Sequence, residues 1–78
     1  MQYIKYFTNP IFNREQFVEL LNTRMGVKAY AVSDGVILNR DAFNAIPGYE
    51  MPHWAWLNKK FINSELHTRP ATPDEWPE

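Results

Sequence analysis

The chain has 78 residues, of which 45% are hydrophobic and 22% charged, with a net charge of −1. At about 100–200 residues per domain this is one small domain; its composition argues against wholesale disorder. Cysteine is absent, which excludes disulfide staples and thiolate metal sites, and no apolar run nears the ~20 residues that span a bilayer.

Gln2 to Phe7 alternates like a strand, with Tyr3, Lys5 and Phe7 on one side and Ile4 and Tyr6 on the other. Thr8-Asn9-Pro10 ends it as a turn cluster. Asn13 then reads as a helix N-cap, with Gln16 in the capping-box position and Phe12 and Phe17 at the spacing of a hydrophobic staple. Phe17, Leu21 and Met25 recur at i, i+4, i+8, and Gly26 supplies the left-handed residue that stops the helix.

Val27 to Asn39 reads as a β-hairpin turning at Asp34-Gly35, where glycine accepts a positive φ. A two-residue loop there pairs Ser33 with Val36 and Val32 with Ile37. One face then shows Val27, Ala29, Ala31, Val36 and Leu38; the other shows Lys28, Tyr30, Val32, Ile37 and Asn39.

Asp41 predicts the cap of a short helix, Ala42 to Ile46, stopped by Pro47-Gly48. Pro52 suits the first turn of a further helix from His53 to about Leu66, with Trp54, Leu57 and Phe61 on one stripe and Lys59, Lys60 and Asn63 opposite. The alternation Trp54-Ala55-Trp56 also admits a strand. From Thr68 the chain is proline-rich and acidic, and is expected to be extended or to form one isolated turn. The expected fold is α+β: a small antiparallel sheet in β-α-β-β-α-α order, helices on one face, a single domain over residues 1–67 and an extended tail over 68–78.

Charge is unevenly spread. Residues 1–63 hold seven Lys or Arg against five Asp or Glu, and residues 64–78 hold one against four. A body near +2 lacks the electrostatic footprint of a dedicated nucleic-acid binder. His53 and His67, fourteen residues apart and without cysteine, do not match a metal-site spacing. Ser33 and Ser64 sit in no glycine elbow. Gly26, Gly35 and Gly48 are isolated and make no phosphate cradle, and Glu15 and Glu19 belong to a solvated helix face. No catalytic residue, cofactor or metal is therefore expected, and the chain reads as non-enzymatic.

Aromatic residues carry the sharper signal. Tyr49, Met51, Trp54, Trp56 and Trp76 crowd the C-terminal third, and Trp, Tyr and Met are enriched in interface cores. Trp54 and Phe61 are expected in the core. Trp56 points about 200° away from Trp54 on a helix, so both cannot face one core. A single helix layer also leaves one hairpin face uncovered, unless the C-terminal segment folds over it. These arguments give an expected partner-binding surface of Tyr30, Val32, Ile37, Tyr49, Trp56 and Trp76.

The expected function is a non-catalytic protein-binding module that occludes a larger protein or complex. Size and style suit a phage or mobile-element accessory protein that inhibits a host enzyme or defence complex, in the host cytoplasm. A homodimer is a further expected arrangement; no membrane partner is expected because no apolar run is long enough to span a bilayer, and the N-terminus reads as too short and polar for a signal peptide. The alternative is a winged-helix-like regulatory domain, with Arg24, Lys28, Arg40, Lys59 and Lys60 meeting nucleic-acid phosphate.

Overall fold

The computed structural model describes residues 3–77; Gln2, the expected first residue of the opening strand, and Glu78 of the tail lie outside the described residues. The elements are β1 (Tyr3–Phe7), α1 (Arg14–Thr23), β2 (Ala29–Val32), β3 (Gly35–Asn39), α2 (Arg40–Asn44), a 3-10 turn (Gly48–Glu50), α3 (His53–Asn63), β4 (Thr68–Pro70) and a second 3-10 turn (Pro73–Glu75). The strands form one antiparallel sheet in the order β2-β3-β1-β4, so the fold is the α+β arrangement expected from the sequence. The tail region is extended at Thr68–Pro70 and makes one turn at Pro73–Glu75, and its extended part joins the sheet as the strand beside β1.

α1 begins as its sequence dictates. The Asn13 side chain accepts a hydrogen bond from the Gln16 backbone N–H at 3.0 Å, satisfying one of the helix's orphan donors. Phe12 and Phe17 close the staple with ring centroids 5.4 Å apart. Gly26 takes φ +67° and turns the chain out of the helix.

The hairpin turns one residue earlier than the Asp34-Gly35 signal implies. Val32 lies opposite Gly35 and Ala31 opposite Val36, so Ser33-Asp34 is the loop. Gly35 is the first residue of β3, and its role is close approach: a Cβ there would sit 2.1 Å from the Tyr6 carbonyl oxygen. The two faces keep their expected membership, because moving the loop by one residue shifts both strands in step and preserves side-chain parity. α2 also starts early, because Asn39 rather than Asp41 provides the cap, accepting from the Ala42 N–H at 3.2 Å.

The sheet divides the core in two. Ile4, Tyr6, Val36 and Leu38 face the helices and pack with Phe17, Leu21, Phe43 and Ile62. Tyr3 and Ile37 face the other way, packed with Ala71 and with the half-buried Tyr30 and Val32. α3 is rotated from the expected stripe: it buries Ala55, Lys59 and Ile62 and leaves Trp54 and Leu57 exposed, with Phe61 half-buried against the core. The small Ala55 lets the helix approach closely. The Lys59 stem completes the buried stripe, while its ammonium lies 4.8 Å from the Phe43 ring centroid and donates to the Phe43 carbonyl at 3.4 Å. Burial pushes the Lys59 pKa down.

Both sheet edges are blunted. Asn22 of α1 clamps β2 by donating to the Ala29 carbonyl and accepting from its N–H, both at 3.0 Å, and Arg14 donates to the Ser33 carbonyl at 2.7 Å. On the other edge the outward-facing Pro70 has no N–H to offer a further strand.

Candidate functional site

The sheet face turned away from the helices is closed by the chain's own C-terminal segment. Arg69, opposite Lys5 in the β1–β4 register, donates through both terminal nitrogens to the Glu75 carboxylate at 2.9 Å each. That guanidinium holds the Glu75 carboxyl down at about 2, helped by the Thr72 N–H. The Tyr30 hydroxyl donates to the Glu75 carbonyl, and burial, then the Glu75 and Asp74 charges, push the Tyr30 phenol up. Trp76 stacks on Tyr3 with centroids 5.8 Å apart and donates from Nε1 to the Ala71 carbonyl at 3.2 Å. Lys5 meets Asp34 at 2.7 Å and lies 4.9 Å from the Phe7 ring centroid, which holds the Asp34 carboxyl below its ordinary value.

A different surface is open. The 3-10 turn Gly48–Glu50 presents Tyr49, which is 87% exposed. Pro52 then starts α3, whose first turns raise His53 and Trp56 beside that turn. Gly48, Tyr49, Met51, His53 and Trp56 line a shallow, mostly apolar depression of about 570 Å³. Met51 is buried and belongs to the helix-side core, so a core residue forms part of the lining of the depression. A Cβ at Gly48 would lie 3.8 Å from Trp56 Nε1, ordinary contact that places the turn against the indole. Lys60, one turn along α3, holds its ammonium 4.4 Å from the Trp56 ring centroid. Neither the Tyr49 hydroxyl nor the Trp56 N–H has a hydrogen-bond partner among the described residues.

The six residues singled out in the sequence thus fall on two surfaces. Tyr30, Val32, Ile37 and Trp76 come together on the strapped sheet face, where Ile37 is wholly buried. Tyr49 and Trp56 come together on the helix side. Met51 and His53 join them there. Of the basic residues expected to meet phosphate, Lys59 is buried and Arg40 pairs with Glu65.

Among the described residues no group of three or more His, Cys, Asp or Glu is placed to hold a metal ion, and no helix is long and apolar enough to cross a membrane. The chain matches no family model, and neither a curated protein nor a solved structure is similar to it.

Proposed function

We propose that this chain is a non-catalytic protein-binding module that docks through the Tyr49–Trp56 surface and acts by occupying part of a larger protein. The observation that carries this reading is the pairing of two large aromatic side chains, each with an unused polar handle, around an apolar depression. Aromatic residues with one wet end dominate interface hot spots. The turn is seated on the core through Met51, so little ordering entropy is lost on docking. The strapped sheet face supports the same reading by subtraction: its aromatics already have partners within the chain.

The test is affinity capture with the whole chain as bait, repeated after nuclease treatment and at about 0.5 M salt. A partner held by apolar contact survives both, because Coulombic attraction between exposed groups is screened within a few ångströms at that ionic strength. Retention of nucleic acid alone, lost steeply as salt rises, would overturn the proposal in favour of the phosphate-binding alternative.

A further inference from the structure

A second concavity lies where the end of β1, the loop after it, α3 and the α3–β4 turn converge. It encloses about 430 Å³, within the ~300–1,000 Å³ of small-molecule sites, and is distinct from the Tyr49–Trp56 depression. Its lining has three phenylalanine rings, Phe7, Phe12 and Phe61, and five polar side chains, of which Tyr6 and His67 also carry rings, but no Asp, Glu, Lys or Arg. The nearby cations of the sheet are already neutralised: Lys5 by Asp34 and Arg69 by Glu75. A site with this lining disfavours a charged ligand, whose desolvation nothing offsets. It favours an uncharged ring that stacks on phenyl groups and hydrogen-bonds at its rim.

The unused hydrogen-bonding capacity specifies the rim. Asn58 accepts from the Tyr6 hydroxyl at 2.7 Å, which leaves its NH₂ and a second lone pair of Oδ1 free. Asn9 accepts from the Ile11 N–H at 3.0 Å, and its NH₂ is free likewise. Thr8 holds a buried hydroxyl with no partner among the described residues, a costly state that a protein rarely retains without use. Asn9 and Asn58 each offer an amide donor beside an acceptor, the pattern with which asparagine reads the edge of a purine. The walls are fixed before any ligand arrives. Phe12 is stapled to Phe17, and Phe61 meets His67 edge-on at 5.8 Å. His67 itself is held at φ +61°, a conformation that a non-glycine residue keeps only when its surroundings impose it.

We propose that this groove is a binding site for the nucleobase ring of a nucleoside, with no subsite for a phosphate. The experiment is titration of the whole chain with adenosine, AMP and glucose, followed by ¹H–¹⁵N spectra. Adenosine should give saturable shifts at Thr8, Asn9, Asn58 and Phe61, with a Kd below about 1 mM. AMP should bind within about twofold of adenosine, since no cation awaits its phosphate, and glucose should give no saturable shift. Asn58→Asp keeps the acceptor for Tyr6 while deleting the donor, and should weaken adenosine at least about tenfold. Thr8→Val removes only the unpartnered hydroxyl. It should leave the melting temperature unchanged or raised while weakening adenosine severalfold. The proposal is overturned by no saturable shift with adenosine up to about 5 mM. It is also overturned by AMP binding tenfold tighter than adenosine, or by affinities that neither variant changes.

Discussion

Trp56 and Trp76 are 42% and 41% exposed, yet they are in different physical situations. Trp76 spends its N–H on the Ala71 carbonyl and its ring on Tyr3, in a segment pinned by the Arg69–Glu75 pair. Trp56 has a cation over its ring and, among the described residues, no hydrogen-bond partner for its N–H. Exposure alone therefore does not separate a residue that closes a fold from one that awaits a partner; the inventory of what each polar edge already bonds does. The chain uses residues 71–77 as the second layer that a one-sided helix arrangement leaves missing, and among the described residues no such segment covers the open aromatic surface.

The largest expected effect comes from the central sheet. Gly35→Val drives a Cβ into the Tyr6 carbonyl and should cost about 3 kcal/mol or more in urea denaturation, at the top of the range for overpacking. An unchanged midpoint would remove the β1–β3 register on which the strapped face is built.

Trp76→Ala should cost roughly 2 kcal/mol, as loss of a half-buried aromatic and its hydrogen bond. The strap should also open in acid. Glu75 has a depressed carboxyl, so the stabilisation is complete above its ordinary value of 4.5 and is lost as pH falls through about 2. In a chain carrying Trp54→Phe and Trp56→Phe, the remaining Trp76 emission should shift to the red across that window. A flat emission profile would mean that the Arg69–Glu75 pair does not hold the strap.

A smaller effect of opposite sign is expected at Glu65, which sits at φ +63° where α3 ends. The Leu66 N–H returns to the Phe61 carbonyl and the Glu65 N–H to that of Ile62, the bonding of a Schellman cap whose left-handed position favours glycine. Glu65→Gly should raise stability by about 1 kcal/mol, less whatever the exposed pair with Arg40 contributes. Loss of stability in a thermal melt would show that the pair outweighs the backbone strain.

Legibility in the sequence followed how local each determinant is. Asn13, Phe12, Phe17 and Gly26 mark α1 correctly because a cap, a staple and a left-handed stop act over a few residues. Face membership in the hairpin was legible from period-2 alternation, but its loop position was not: the need for glycine at position 35 comes from Tyr6, 29 residues away in sequence. The rotation of α3 was hidden for the same reason. Trp54, Leu57 and Phe61 outweigh Ala55, Lys59 and Ile62 in hydrophobic size, yet it is the second set that packs inward, with Lys59 over the distant Phe43 ring. Tyr49 and Trp56 were legible as aromatics in excess of one core. The nucleobase-sized groove was not, because Thr8, Asn58 and His67 come from three separate segments and carry no pattern in common.

The most direct test of the account is quantitative capture of the partner by three baits: the parent chain, Tyr49→Ala/Trp56→Ala and Trp76→Ala, each with its melting temperature recorded. The account predicts that the double variant melts near the parent yet loses at least about thirtyfold in affinity, the scale of a true hot spot. Trp76→Ala should melt lower while still capturing the partner when held below its transition. Retention of capture by the double variant, with loss in folded Trp76→Ala, would place the binding surface on the strapped sheet face and contradict the account.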